Sequence, residues 1–231
     1  MPELMAHRGN SALAPENTLS AFAKALESKA ESCELDVHLS ADGELIVMHD
    51  ATVDRTTNGS GEIAQMTLRQ LKALDAGSWF APQFAGEPVP TLAEVVELVG
   101  NRIKLNVEIK AVADPASSLK VVETLREGGV LQQSMISSFG LDALLETRRH
   151  WPEGTLALIT GRGSDLQIAI DNKMQWFNLY YHEASAALVQ KAHEAGLKVM
   201  IWTMDDPALW KTYARINVDG ICTNAPHLMP V

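Results

Sequence analysis

The sequence is poor in cysteine and in positive charge, and each shortage excludes a class of protein. Only two of its 231 residues are cysteines, Cys33 and Cys222, and neither CxxC nor Cys/His spacing is present. Free thiols are therefore expected, with no disulfide framework and no zinc site. Nineteen Lys and Arg residues oppose twenty-nine Asp and Glu residues, for a net charge of −10. Since no basic stripe offsets this charge, a nucleic-acid partner is not expected.

Long apolar runs are also missing. No segment approaches the roughly 18 apolar residues that a membrane span needs, and the start MPELMAHRG has neither a basic n-region nor an apolar h-region. We therefore expect a cytoplasmic protein without stable membrane association. A hydrophobic fraction of 46% and a charged fraction of 21% are typical of a globular protein. The length favours one domain of barrel size, 1–231, over two small ones, and a homo-oligomer is left open.

Strand-like apolar bursts alternate with segments of helical periodicity along the whole chain, which is typical of a parallel α/β fold. Eight bursts in about this length favour a closed (β/α)8 TIM barrel over an open sheet. The predicted strands are 4–7, 33–37, 106–110, 135–139, 155–160, 176–181, 199–203 and 219–223. The predicted helices are 17–30, 92–99, 115–128, 141–149, 164–172, 184–195 and 206–215.

A ninth strand candidate, ELIVMH at 44–49, follows an AspGly pair at 42 and 43 that indicates a two-residue hairpin turn. A hairpin cannot join parallel barrel strands, so 38–49 is predicted as an antiparallel extension above the barrel rim. Symmetry about the turn then predicts that Leu39 faces Ile46 and that Asp36 faces His49. Residues 50–90 contain one weak helix, 67–74, and are predicted as a small inserted subdomain after the second strand that shapes a pocket.

Acidic residues on two of the predicted strands point to a metal site. Residues two apart in a strand share a face, so Glu34 and Asp36 point the same way, as do Glu108 and Lys110. The residues between them are apolar and should pack outward on helices, which sends the charged side chains into the barrel. Three convergent carboxylates form a hard oxygen site that suits one divalent cation, Mg²⁺ or Ca²⁺. An internal salt-bridge cluster with Lys110 and Arg8 is the alternative.

Two of the seven histidines flank this carboxylate cluster. His7 ends the first strand, and His49 is expected opposite Asp36. A neutral imidazole takes up a proton and an imidazolium gives one, so the pair can serve as base and acid on either side of a phosphorus atom. His38, His150, His182, His193 and His227 show no such convergence and are interpreted as surface residues.

Positive charge for an anionic substrate would come from Arg8 and Lys110. Arginine offers the two-pronged donor geometry that suits phosphate. Lys110 is equally well interpreted as the ion-pair partner of Glu108. Trp202 has the parity to line the pocket mouth, although a core tryptophan is nearly as well supported.

These motifs together resemble the glycerophosphodiester phosphodiesterase family along the whole chain. The resemblance is carried by HRG (7–9) with PENT (15–18), ELDVHLSADGELIVMHD (34–50), RTTNGSG (55–61), NVEIK (106–110), IWT (201–203) and VDGICTNAP (218–226). DAGSWF (75–80) and GEPVP (86–90) are most similar to the cytoplasmic bacterial enzymes that release glycerol 3-phosphate from deacylated phospholipids.

The resemblance implies a hydrolase on a TIM barrel that acts on a small-molecule phosphodiester, with a role in glycerol and lipid metabolism. It implies Glu34, Asp36 and Glu108 as metal ligands and His7 and His49 as the acid/base pair. Arg8 and Lys110 would contact phosphate, and Glu16 belongs to the PENT motif. The nucleophile is either the substrate's own glycerol 2-hydroxyl, through a cyclic phosphate, or water.

Two positions depart from the family pattern: Asn10 stands where Gly or Ala is common, and Asn224 stands where Asp is common. Neither is expected to touch the chemistry, although Asn10 lies where it could alter the pocket rim. A lysophospholipase D acting on lipid diesters is the close alternative. A catalytically silent metal-stabilised binding module is disfavoured because no motif residue is lost, and a sugar isomerase because a second set of metal carboxylates is missing.

Overall fold

The computed structural model describes residues 1–110 and 115–229 and shows a closed barrel of parallel strands. β1 pairs with both β2 and β9, which closes the sheet, and one short antiparallel strand, β3, extends it beside β2. The strands are β1 Glu3–Ala6, β2 Ser32–Leu39, β3 Leu45–Val47, β4 Lys104–Ile109, β5 Met135–Ser138, β6 Leu156–Thr160, β7 Trp176–Tyr180, β8 Lys198–Trp202 and β9 Gly220–Thr223. The predicted (β/α)8 barrel is confirmed, and each predicted barrel strand lies within two residues of an observed one.

Helices connect the strands wherever the periodicity predicted them. They are α1 Leu19–Glu27, α2 Leu68–Leu71, α3 Leu92–Val99, α4 Ala116–Glu127, α5 Leu141–His150, α6 Leu166–Asp171, α7 Ala186–Glu194 and α8 Trp210–Arg215. α1 begins after Thr18, whose hydroxyl accepts a hydrogen bond from the Ala21 amide at 3.3 Å and so caps the helix. No helix in the described ranges is long and apolar enough to cross a bilayer.

Alternation along the strands divides the core into two layers. Leu35 and Val37 of β2 and Val107 and Ile109 of β4 belong to the large cluster between the barrel and its helices. A smaller cluster fills the barrel itself and consists of Met5, Met135, Ala157, Trp176, Met200 and Cys222. Because a strand has a period of two, the polar residues Glu34, Asp36 and Glu108 share the inner side with this second cluster.

The segment after β3 has a hydrophobic cluster of its own. Val53, Ile63, Leu71 and Ala76 pack with Ile46 and Met48 of the hairpin and with Val89. The weak helix predicted at 67–74 is the single turn α2, which begins at Thr67 with a capping box. The predicted division into one barrel domain, 1–231, with a subdomain at about 50–90 stays a prediction, and residues 111–114 and 230–231 of that range lie outside the described residues.

The predicted register of the hairpin is wrong by one residue. Leu39 pairs with Leu45 and Val37 with Val47, so the loop contains three residues, 41–43, with Gly43 at φ +79°. The Ala41 amide donates to the Met66 carbonyl at 2.9 Å, which takes Ala41 out of the ladder and lengthens the loop. Three-residue hairpin loops commonly place a glycine at such a left-handed position. Asp36 consequently accepts a hydrogen bond from the Met48 amide and does not face His49.

Candidate active site

A cleft opens at the end of the barrel where the parallel strands finish. This is the end at which barrel enzymes carry their active sites. The predicted residues His7, Arg8, Glu34, His49, Glu108 and Trp202 all line it. His49 reaches the cleft although its predicted pairing is wrong, because strand pairing ends at Val47 and the chain bends at residues 49 and 50.

Glu34, Asp36 and Glu108 form a tight carboxylate cluster beneath the cleft. One oxygen from each lies within 4.8 Å of the others, and each residue is less than a tenth exposed. Burial and the two neighbouring carboxylates raise the pKa of Glu34 well above its usual range. Burial and Asp36 raise the pKa of Glu108 to about 7. Burial also disfavours the charge on Asp36, but Lys110 and Arg8 hold the pKa of that carboxyl below its usual range.

Lys110 and Arg8 neutralise part of this cluster. The Lys110 ammonium contacts Asp36 and lies 2.8 Å from Glu108 Oε1, while Arg8 Nε lies 3.5 Å from Asp36 Oδ2. The position of Lys110 therefore suits both interpretations, phosphate contact and ion pairing. An ammonium that pairs with the carboxylates also lies at the edge of their cluster. Two cations oppose three carboxylates, so the cluster keeps one formal negative charge when all three are ionised.

Among the three carboxylates, Glu34 is the one whose side chain has no ion pair with Arg8 or Lys110, and its geometry fits a divalent cation. Glu34 Oε2 accepts a hydrogen bond from the Arg8 amide at 2.9 Å, whereas the buried Oε1 has no partner among the described residues. A buried carboxylate oxygen without a partner is costly unless a cation binds it. Three oxygen donors with one unbalanced charge suit a hard divalent ion. Glu34, Asp36 and Glu108 are thus the residues that would hold it.

His7 lies beside Glu34, and Asn224 holds the other side of its imidazole ring. Its Nε2 lies 3.9 Å from Glu34 Oε2, and its Nδ1 lies 2.7 Å from Asn224 Oδ1. Burial and the nearby Arg8 guanidinium lower the pKa of His7 to about 4. The imidazole is therefore neutral at pH 7 and able to accept a proton.

His49 is held by a chain of charged residues. Its Nδ1 donates to Asp50 Oδ1 at 2.7 Å, and Arg55 Nε donates to Asp50 Oδ2 at 2.7 Å. Arg55 also donates to both Glu16 oxygens, at 2.8 and 3.0 Å, and Arg8 donates to the same carboxylate at 2.8 Å. Glu16 therefore links Arg8 to the wall that carries His49.

Gly9 allows the loop that carries His7 and Arg8 to lie against α1. It has φ +82°, and a Cβ placed there would come within 2.6 Å of the Ala21 carbonyl carbon and Cβ. The neighbouring Asn10 amide donates to the Ala21 carbonyl at 2.9 Å, which fixes this close approach. The glycine of HRG is thus required by both conformation and space.

Gly9→Ala should lower the free energy of unfolding by at least about 2 kcal/mol, because left-handed strain and a backbone clash add together. Gly196 has the same φ of +82°, but a Cβ placed there would have no atom of the described residues within 4 Å beyond its own chain neighbours. Gly196→Ala should therefore lose only about 1 kcal/mol, from conformational strain alone. Urea denaturation of both variants measures the difference. Equal losses would contradict the role of the Ala21 contact.

The aromatic residues Phe139 and Trp202 line the cleft, and Tyr180 packs beside Trp202. Trp202 packs edge-on against Phe139 at 5.6 Å between ring centroids, and Tyr180 lies 5.6 Å from the same indole. Trp202 Nε1 donates to the Asn178 carbonyl at 3.0 Å, which fixes the ring. Phe139 is 47% exposed and Tyr180 is 37% exposed, so the mouth presents an apolar surface to a ligand.

Sequence reasoning misjudged or missed several residues of the site. Asn224 was expected not to touch the chemistry, yet it hydrogen-bonds to His7. Asn10 is buried and contacts His227 Nδ1 at 3.1 Å, away from the cleft lining. His38 is half-buried, and its Nε2 lies 3.1 Å from the His49 carbonyl oxygen, so it is no simple surface residue. Asp50, which contacts His49, and Arg55, which contacts Asp50, were missed, although both lie in the motifs that carried the resemblance.

The sequence profile of the glycerophosphoryl diester phosphodiesterase family matches residues 7–228. The chain belongs to this family. A glycerophosphodiester phosphodiesterase of Caldanaerobacter subterraneus subsp. tengcongensis is 37% identical over 98% of this chain and 95% of its own length. One from Bacillus subtilis is 31% identical over 97% of this chain and 84% of its own.

Solved structures agree with the family in fold. A glycerophosphodiester phosphodiesterase from Agrobacterium tumefaciens superposes with a TM-score of 0.89 at 31% identity, covering 99% of this chain and 98% of its own. An Oleispira antarctica phosphodiesterase, solved with its product sn-glycerol 3-phosphate, gives a TM-score of 0.89 at 30% identity over 98% and 94% of the two chains. The predicted family and enzyme class are thereby confirmed.

Proposed function

We propose that this protein hydrolyses glycerophosphodiesters to glycerol 3-phosphate and an alcohol. The observation that carries the proposal is the convergence of His7, His49 and a three-carboxylate cluster on a single cleft. Two imidazoles that line one cleft can serve as base and acid toward a phosphodiester bound between them. The names of the relatives and the glycerol 3-phosphate bound to the Oleispira antarctica enzyme support the same substrate class.

In the proposed reaction the phosphodiester lies between the two histidines. Neutral His7 removes a proton from the nucleophile, and His49 donates one to the leaving alcohol. A divalent cation held by Glu34, Asp36 and Glu108, Mg²⁺ or Ca²⁺, would spread the negative charge that develops on the phosphoryl oxygens. Arg8 and Lys110 add positive charge at the cluster, and Glu16 positions Arg8 through its 2.8 Å contact.

The lysophospholipase D alternative draws support from the exposed aromatic residues at the mouth. Phe139 and Tyr180 present apolar surface that an acyl chain could cover, and Trp202 joins them to the catalytic cleft. The same surface suits the carbon skeleton of a small head group. A direct comparison of turnover therefore distinguishes the two substrates.

One assay tests both functions. Metal-stripped protein is given Mg²⁺ or Ca²⁺ and then glycerophosphocholine, glycerophosphoethanolamine, glycerophosphoglycerol or lysophosphatidylcholine. We expect release of glycerol 3-phosphate from the glycerol diesters only when a cation is present. Faster turnover of lysophosphatidylcholine would favour the lipid diesterase. Equal turnover with and without cation would contradict the metal role.

A further inference from the structure

We propose that Asn224 and Asp205 are positioning residues that hold His7 in the tautomer with its hydrogen on Nδ1. This inference rests on the proposed function, in which His7 acts as a base through Nε2. Asn224 directly follows β9, and Asp205 lies in the loop after β8. The two residues therefore come from neighbouring strand ends and meet behind the imidazole.

The orientation of the Asn224 amide is decided by Asp205. An amide offers an acceptor at one end and donors at the other, and the two ends have nearly the same shape. Asn224 Nδ2 lies 2.7 Å from Asp205 Oδ2, and an ionised carboxylate only accepts. The NH2 group must therefore face Asp205, which leaves Oδ1 to face His7.

Asp205 is itself held in place. Its Oδ1 accepts hydrogen bonds from the Asn224 amide at 2.7 Å and from the Thr223 hydroxyl at 2.9 Å. The Ser11 hydroxyl lies 2.9 Å from Asn224 Oδ1 and 2.9 Å from the His7 carbonyl oxygen, so the two acceptors share its single hydrogen. The side-chain amide is thus constrained at both ends.

The amide orientation in turn decides the tautomer of His7. Asn224 Oδ1 is 2.7 Å from His7 Nδ1 and carries no hydrogen, so Nδ1 must donate. A neutral imidazole has one ring hydrogen, so Nε2 carries the lone pair. Nε2 lies 3.9 Å from Glu34 Oε2, and in the proposed function it is the atom that accepts the proton.

A carboxylate at position 224 would place a negative charge directly beside the imidazole. In this chain the negative charge is on Asp205 instead, one hydrogen bond further from the ring. An asparagine by itself can present either end to a histidine, and the wrong end selects the wrong tautomer. In serine proteases an Asp-to-Asn change behind the catalytic histidine costs roughly 10⁴-fold in kcat for this reason. In this chain Asp205 removes the ambiguity, so the pair acts as one unit.

Nitrogen-15 NMR of histidine-labelled, Mg²⁺-loaded protein at pH 7.5 tests the tautomer directly, with His7→Ala used to assign the resonance. We expect His7 to carry its hydrogen on Nδ1 in the parent protein and to shift toward the Nε2–H tautomer in Asp205→Ala. The same variant should lose roughly 10²- to 10⁴-fold in kcat with a much smaller change in KM. Asp206→Asn, an exposed carboxylate in the same loop, is the control and should leave both readouts unchanged.

A reciprocal exchange separates positioning from simple damage to the loop. Asn224→Asp alone places two carboxylates in contact and should impair kcat. Combining it with Asp205→Asn restores a donor facing an acceptor, so the double variant should recover at least a tenth of the parent kcat and the Nδ1–H tautomer. An Nε2–H tautomer in the parent, or no recovery in a folded double variant, overturns the proposal. Activity that survives His7→Ala would refute the proposed base and leave the NMR result to decide the tautomer alone.

Discussion

Replacing His7 by alanine should lower kcat roughly 10²- to 10⁴-fold, the usual contribution of a general acid or base. The side chain is held by Asn224 on one side and faces Glu34 on the other, so its removal leaves the carboxylate cluster in place. Metal affinity and the thermal midpoint should therefore change little. The measurement is steady-state release of glycerol 3-phosphate, with cation binding followed in parallel.

His49→Ala should show a loss of the same size, because the second proton transfer depends on it. His150 is the matched control, since it lies on α5 and pairs only with Glu146 at 3.1 Å among its described contacts. His150→Ala should leave kcat within about twofold, as expected for a surface change. The acid/base assignment would fail if the double variant lacking both His7 and His49 kept substantial activity.

The second large effect is expected at the metal site. Glu34→Gln removes one negative charge but keeps an oxygen that can accept the hydrogen bond from the Arg8 amide. Changes to groups that merely orient a ligand cost about 10- to 100-fold in metal affinity, so loss of a direct carboxylate should cost at least that much. Calorimetric titration of Mg²⁺ and Ca²⁺ into metal-stripped protein measures the loss. Glu97→Gln, on the exposed side of α3, is the control.

Stability offers a readout of the same site that does not depend on activity. Cation at about 100 times its dissociation constant should stabilise the parent protein by about 2.7 kcal/mol and should stabilise Glu34→Gln much less.

Without cation, the difference in stability between the parent protein and Glu34→Gln should depend on pH. The pKa of Glu34 is raised in the folded state, so folded protein keeps a proton that the unfolded chain has lost. The free energy of unfolding of the parent protein therefore falls as the pH rises above the pKa that Glu34 has in the unfolded chain. Glu34→Gln should weaken this dependence on pH.

An unchanged response would contradict the metal assignment. If the thermal midpoint of the parent protein did not respond to either cation, the three carboxylates would be only an ion-pair cluster with Lys110 and Arg8. In that case Glu34→Gln should raise stability at every pH above its unfolded pKa, with or without cation. The two outcomes are therefore distinct.

Much of the fold could be predicted because its determinants are local. The period of two in β2 and β4 separates Leu35 and Val107 from Glu34 and Glu108, and the structure places these pairs on opposite sides of the sheet. Helices begin where a cap and a 3.6-residue period coincide, as at Thr18. Parallel strands have their carboxyl ends at one edge, so residues 7, 34, 36 and 108 converge without knowledge of long-range contacts.

The turn length and register of the hairpin could not be predicted from the local sequence. AspGly predicts a two-residue turn, but the Ala41 amide donates to the Met66 carbonyl and the Leu68 amide donates to the Asp42 carboxylate. Both partners lie more than twenty residues away, so no window around the turn contains them. His49 reaches the cleft through a bend after β3, and the predicted cross-strand pairing with Asp36 does not form.

The sequence by itself determined the barrel, the inward carboxylates and the place of His7 at the end of the first strand, because periodicity and strand polarity are properties of neighbouring residues. Only the tertiary structure decided how His49 reaches the cleft and which groups hold the two histidines. Asn224 meets His7 across 217 positions, and Asp50 and Arg55 join Glu16 through a segment with no regular period. The contact between Asn224 and His7 depends on barrel closure between β1 and β9, which places the end of β9 beside the end of β1.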